Sequence, residues 1–370
     1  MAYTDIDDPT LFFRTVTYTG DGNSSKAITF DETDTSMQPD VVWIKNRTDA
    51  HWHNMNTSTL GVGAANVIRP NLASSKGGTS GHVSSLDSNG FTVAEGSSNA
   101  EEVNTNNDNY VAWCFKSGTS FSNDASATSI GDIDSSGTVS TTAGFSTFKA
   151  TSDANADKDI AHGLGTVPDV IWARNTAQNY NWDCYYKSLG YNASLKLNES
   201  DATRTGAWGS NTFTTTTFEG KHDYSIAQVE YLYLAWSNRQ GFFKSGKYKG
   251  NGSSTNSGSA IDGQFVYTGF RPAWVLWKNH SNAGGHWVVV DNKRNPTNIT
   301  TPGTSGLSHL QPNLANAESA SEAHVDIVSN GFKFRSSSNN NFNYTGQTYI
   351  WMAIAEAPLV NSNGVPCNAR

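Results

Sequence analysis

Glycoside hydrolysis needs two carboxylates held across one bond, which on a strand means paired acids on a single face. No Glu-x-Asp-x-Glu run occurs in this chain of 370 residues, and its glutamates are scattered at 32, 95, 101, 102, 199, 219, 230, 318, 322 and 356. Asp40 and Asp169 each follow a proline, but Ala273 stands at the matching place further on, so these acids read as solvated strand-entry residues. In His51-Trp52-His53 two imidazoles at i and i+2 share one strand face, a beginning for a metal site. Two ligands do not close such a site, so the pair reads as plain strand surface, with no metal and no other cofactor expected. Asp132-Ile133-Asp134-Ser135-Ser136-Gly137 imitates half of a calcium loop, but Ala143 stands where its closing glutamate belongs. Gly20-Asp21-Gly22 and Gly250-Asn251-Gly252 lack the lysine and helix of a phosphate cradle and read as hairpin turns. Cys114, flanked by Trp113 and Phe115, reads as a space-filling thiol.

Binding chemistry has one concentrated source. Tyr180, Tyr185, Tyr186, Tyr191 and Trp208 crowd one stretch of the chain. Sugar rings lay their C–H faces on such side chains while Asn, Asp and Gln bond the hydroxyls. The same residues could equally be ordinary packing or contacts to another subunit.

The elements that must position these residues occur three times. Pro39-Asp40-Val41-Val42-Trp43-Ile44-Lys45-Asn46 returns as Pro168-Asp169-Val170-Ile171-Trp172-Ala173-Arg174-Asn175 and as Pro272-Ala273-Trp274-Val275-Leu276-Trp277-Lys278-Asn279. A second tryptophan follows each at nearly constant distance (Trp52, Trp182, Trp287), and closing strands follow around Trp113, Trp236 and Trp351. The first and last stretches also share Arg69-Pro70-Asn71-Leu72 with Gln311-Pro312-Asn313-Leu314, so the middle one has diverged furthest. A pattern of landmarks in fixed order predicts repeated units.

Short strands, both faces largely apolar at Val41–Asn46, and Asn-Gly punctuation at Asn89-Gly90, Asn251-Gly252 and Asn330-Gly331 predict an all-β chain. The expected fold is three tandem β-sandwich, jelly-roll-like repeats at 11–116, 145–240 and 241–357. A Ser/Thr/Gly-rich connector fills 117–144, and a tail covers 358–370. Residues 1–10 carry Asp5, Asp7 and Asp8 beside Pro9 and no evident partner within the first repeat, so they are expected to anchor on another subunit or a partner protein.

A net charge of -8 without a basic patch opposes binding to nucleic acid or anionic membrane surfaces. No run of residues reaches transmembrane length, the N-terminus lacks the pattern of a secretory signal, and three widely spaced cysteines make a disulfide framework unexpected. Synthesis in a reducing cytoplasm fits best.

The opening Tyr-Thr-Asp-Ile-Asp-Asp-Pro at 3–9, the strand Pro-Asp-Val-Val-Trp-Ile-Lys-Asn-Arg at 39–47, Tyr-Val-Ala-Trp-Cys-Phe at 110–115 and the segment 265–276 resemble a family of virion proteins of marine tailed bacteriophages. Members of that family are described as structural, tail-fibre-like or concanavalin-like lectin proteins. The resemblance implies a non-enzymatic virion component, assembled in the host cytoplasm with other virion proteins and copies of itself as a fibre, knob or decoration of capsid or tail. An adhesin that grips host surface glycans is the alternative, and a capsule depolymerase a distant third.

Overall fold

The computed structural model describes residues 3–31, 35–152, 158–206, 208–209, 213–220, 228–252, 262–298, 307–323, 325–335 and 339–367. Its regular structure is almost entirely antiparallel strand, and its α-helical content among the described residues is the single turn Ala125–Thr128. The fold is an all-β sandwich arrangement, as expected.

One strand order appears three times. In the first group the sheet runs Phe13–Thr19, Asn109–Phe115, Val41–Asn46, Asn54–Thr57. In the last it runs Phe243–Lys249, Thr348–Pro358, Phe270–Asn279, Trp287–Asp291. The middle group contains the corresponding run Phe145–Thr151, Glu230–Trp236, Val170–Asn175, Asp183–Tyr186 inside a sheet of eight strands. Registers agree as well: Trp43 lies opposite Trp113 and Met55, Trp172 opposite Leu234 and Cys184, and Leu276 opposite Met352 and Val289.

Strand alternation then sorts each sheet into two apolar faces. One face covers a smaller sheet of its own group. In the first group Val42, Ile44, Tyr110, Ala112 and Cys114 pack on Ile28, Phe91 and Val93, and in the last group Trp277 and Trp351 pack on Phe332 and Phe334. The other faces converge. Trp43 and Trp113, Trp172 and Trp236, and Trp274 with Leu276 and Met352 belong to one cluster fed by all three groups. Rings meet across it, with centroids 6.1 Å apart for Trp43 and Trp172 and 6.2 Å for Phe115 and Trp274. Complete burial of each large apolar side chain stabilises by roughly 1.5–3 kcal/mol, so this shared core is a principal reason the groups hold together.

Three local expectations change. Gly20-Asp21-Gly22 and Gly250-Asn251-Gly252 are not hairpins, because each leads off the larger sheet of its group. Asn104 and Asn343 brace them through side-chain amides bonded to Asp21 and Asn251 at 2.9 and 2.8 Å. A Cβ on Gly20 would lie 2.0 Å from the Thr105 carbonyl, so glycine is required by close approach of backbone. The segment 117–144 is no simple linker: Thr119–Asn123 and Ser135–Ser140 pair with each other and continue the middle sheet at Phe145–Thr151. Asp40 is buried, receiving Ser117 and Gly118 amides at 2.9 and 2.7 Å, and Asp169 receives the Asn238 amide at 2.7 Å. Both carboxylates brace the loop that leaves the closing strand, work that Ala273 leaves undone in the last group.

Candidate functional site

Between the groups lie three seams, and each is built from the same positions. The strand following Trp43, Trp172 or Leu276 is entered at His53, Trp182 or Trp287, the first two immediately before it and the third its first residue, and the backbone N–H of each is accepted by Asn71, Asn198 or Asn313 at 3.1, 2.9 and 3.1 Å. Each ring then reaches out of its own group. Trp182 Nε1 donates to the Arg69 carbonyl at 3.0 Å, and Trp287 Nε1 donates to the Lys196 carbonyl at 2.9 Å. His53 Nδ1 accepts from Trp43 Nε1 at 3.0 Å, which leaves the proton on Nε2 facing the Leu314 and Gln311 carbonyls at 3.1 and 3.3 Å. Middle to first, last to middle and first to last, the donors close a ring.

This geometry corrects the sequence alignment by one residue. His53, and not Trp52, occupies the tryptophan position of the other two groups, while Trp52 is 46% exposed. His51 and His53 therefore do not form a surface pair. The structural equivalence of Asn198 to Asn71 and Asn313 was also missed, since Leu197-Asn198 lacks the proline that marked the outer copies. Trp277 and Trp351 belong to the sandwich of their own group, on the face opposite the position of Trp43 and Trp113.

A buried cation accompanies every seam. Lys45, Arg174 and Lys278 share one register position, next to Asn46, Asn175 and Asn279. Each asparagine Oδ1 accepts two following backbone N–H groups, such as those of Thr48 and Asp49 at 2.9 Å, which turns the chain sharply after the strand. Lys278 Nζ donates to the carbonyl of Ser200 in the middle group at 3.1 Å, and Arg174 donates to the carbonyl of Ser74 in the first. Burial penalises these charges, pushing Lys45 down to about 7, Lys278 to about 8 and Arg174 to about 10.

Where first and last groups meet, ions dominate. Arg47 bonds Glu318 through Nη2 at 2.7 Å, and Glu318 also holds Arg294 Nη1 at 2.8 Å. Arg294 Nε reaches Asp291 Oδ2 at 2.7 Å, and that oxygen accepts Trp113 Nε1 at 3.0 Å. The N-terminal segment runs to the last group and to its join with the middle one. Tyr3 Oη donates to the Gly269 carbonyl at 2.6 Å, Thr4 Oγ1 to the Gln240 carbonyl at 2.8 Å, and Ile6 enters the shared core. Asp7 accepts the Ser362 amide at 2.7 Å, Asp8 caps the turn Pro9–Leu11 by accepting Thr10 N at 2.9 Å, and Pro9 is buried, leaving Asp5 exposed. The partner expected from another subunit is thus supplied by the same chain. Asp7, Asp8 and Pro9 are used internally.

The aromatic cluster is also internal. Tyr185 and Trp208 are buried in the core of the middle sandwich, with Tyr191 half-buried on Tyr185 at a 6.0 Å ring separation. Tyr186 faces the other way, into the shared core, where its hydroxyl donates to Met352 Sδ at 3.4 Å. Tyr180 is half-buried with its backbone N–H on the Gln178 carbonyl at 3.0 Å. Opposite faces of one strand, Asp183–Tyr186, carry Tyr185 and Tyr186, so no common stacking platform forms. Cys114 is buried as a space filler, and burial raises its thiol pKa well above the ordinary range.

Asp49, His51 and Asp108 bring donor atoms within 4.8 Å of one another. Asp108 already accepts Asn46 Nδ2 at 2.8 Å and Asp49 is exposed, so the group has the ordinary chemistry of a polar loop junction. Larger carboxylates are engaged elsewhere: Glu102 with Arg69 at 2.8 Å, and Glu230 with Lys76 and Lys149 at 3.1 Å. Glu32 and the side chain of Glu322 lie outside the described residues. Among the described residues no helix is long and apolar enough to cross a membrane.

A family model described as "Domain of unknown function (DUF7483)" matches residues 8–358. No curated protein and no solved structure matches the chain.

Proposed function

The chain belongs to the DUF7483 family, and from that premise we propose that it is a non-enzymatic structural protein of a tailed-phage virion, forming a fibre, knob or decoration of capsid or tail. The observation that carries this reading is the shared core, in which seven of the eleven tryptophans serve to join three sheet groups into one body. Aromatic side chains so placed provide rigidity and leave little for a reaction centre. The buried ionisable groups favour the same reading, because their partners are carbonyls, amides and opposite charges that fix the seams. A neutral polar exterior of Ser, Thr, Asn and Gly suits a protein packed densely beside others. The phage setting rests on the resemblance of the opening and strand motifs. Other virion proteins and copies of itself are the proposed partners.

Mass spectrometry of purified virions, followed by a cryo-EM map of the particle, tests the proposal. The protein is expected at a stoichiometric copy number in a defined density. Its presence in infected-cell lysate together with its absence from purified particles would overturn the assignment.

A further inference from the structure

A cleft of about 340 Å³ opens where the N-terminal segment, the join between middle and last groups, and the strand Phe265–Tyr267 meet. It continues toward a smaller hollow of about 120 Å³ that shares Tyr3, Arg239 and Gln240. Tyr267 stands at the larger cleft 49% exposed, one of the most open large apolar side chains described. Gly269, at φ +87°, keeps the cleft open. A Cβ there would lie 3.3 Å from Tyr3 Oη and 3.5 Å from Tyr267 Oη, so glycine leaves room for the two phenols, which hydrogen-bond each other beside it.

Charge distinguishes this cleft from the rest of an acidic protein. No carboxylate lines the larger part, yet Lys244 and Arg239 both do. Lys244 Nζ lies 4.8 Å from the centre of the Tyr267 ring and donates to the Tyr267 carbonyl at 3.3 Å, with no acidic partner among the described residues. Arg239 bonds the Thr141 and Asn238 carbonyls and the Thr166 hydroxyl, with the Asp169 and Asp5 carboxylates nearby but in no salt bridge with it among the described residues. Partial burial lowers the pKa of both, opposed at Arg239 by the nearby Asp169 and Asp5 carboxylates and unopposed at Lys244. An anion entering the cleft would supply the counter-charge at Lys244.

We propose that this cleft binds an anionic saccharide, with a sugar ring stacked on Tyr267 and its acidic group held by Lys244. The exposed side-chain amides of Asn238 and Gln240 stand along the same wall to bond ring hydroxyls, while the Thr268 hydroxyl is buried on the Phe270 carbonyl. The volume falls within the usual range for small-ligand sites. Aromatic face, cation and amides are the three elements such a ligand requires, since its C–H face is apolar, its acid charged and its rim rich in hydroxyls. This adds a binding activity to the structural role and does not depend on it.

Calorimetric titration of the full-length protein with tetragalacturonate, a sulfated carrageenan tetrasaccharide and neutral galactotetraose provides the test. At least one acidic oligosaccharide is expected to bind tenfold or more tightly than the neutral one, and weaker as salt rises. Preference between the two identifies carboxylate or sulfate as the group recognised. Lys244→Gln and Tyr267→Ala should each reduce that binding about tenfold at unchanged melting temperature, while Tyr267→Phe retains it. If neither acid binds, if the neutral sugar binds equally, or if the folded Lys244→Gln and Tyr267→Ala variants bind like the parent, the proposal fails.

Discussion

The seam between the first and last groups and the seam between the middle and last groups meet the same mechanical demand by different chemistry. The latter follows directly on a short chain connection, 236–243, and is held mostly by neutral donors, Trp287 on the Lys196 carbonyl, Tyr186 on Met352 and Thr203 on the His280 carbonyl at 3.0 Å, with the single cation Lys278 on the Ser200 carbonyl. The former joins groups that no short connection links. It carries Arg47, Glu318, Arg294 and Asp291 in one chain of bonds, while the N-terminal strap ties the chain's start to the last group at Gly269. A short linker gives its two groups a high effective concentration, so modest contacts suffice. Buried ion networks add partner specificity, because a misplaced neighbour leaves charges unpaired. The register of the closing seam is specified by charge, where chain connectivity cannot specify it.

The largest effect should come from breaking that network. Arg294→Met leaves Asp291 and Glu318 desolvated without their shared cation and is expected to cost about 3–5 kcal/mol in equilibrium denaturation. Loss of less than 1 kcal/mol would place the ions on the periphery of stability. The strap comes next: Ile6→Ala removes an almost fully buried side chain from the shared core and should cost about 2–4 kcal/mol. An unchanged melting curve would mean that the strap follows the fold without supporting it.

The smallest effect is a pH dependence seated at His53. Burial, followed by the nearby Lys45 charge, holds its pKa well below the ordinary value. The folded state therefore favours neutral imidazole while the unfolded chain takes up a proton below about 6.5. Stability contributed by the neutral ring is full above that pH and falls as the solution is acidified, by up to about 1.4 kcal/mol per unit until the folded-state ring itself titrates. Stability measured from pH 7.5 to 5 should fall less steeply in His53→Gln. Identical slopes for parent and variant would remove His53 from the acid response.

Sequence made the central strands legible because Val41–Asn46 and Val170–Asn175 are apolar on both faces, a property that exposed segments rarely have. It concealed the strands of 119–140, whose Ser and Thr side chains suit a sheet edge and carry no hydrophobic alternation. Counting from tryptophan to tryptophan misplaced His53, since spacing in sequence does not fix cross-strand register. A single Ile6 among acidic neighbours gives no periodic signal, so nothing in the sequence points to a partner for the strap within the same chain. The aromatic residues from Tyr185 to Trp208 were visible as a cluster, but burial depends on sheet faces that only the paired strands define.

Each group grips the one before it through the ring at His53, Trp182 or Trp287, and the first grips the last. A head-to-tail contact of this kind either closes or propagates, and an open version would thread molecule after molecule into a filament. Here the third contact returns to the starting group within one polypeptide, and the interface that could have propagated is consumed at birth. The chain is thus a terminated oligomer of itself: indefinite growth through these seams is ruled out by topology, and any larger assembly it enters must be built from its outer surfaces.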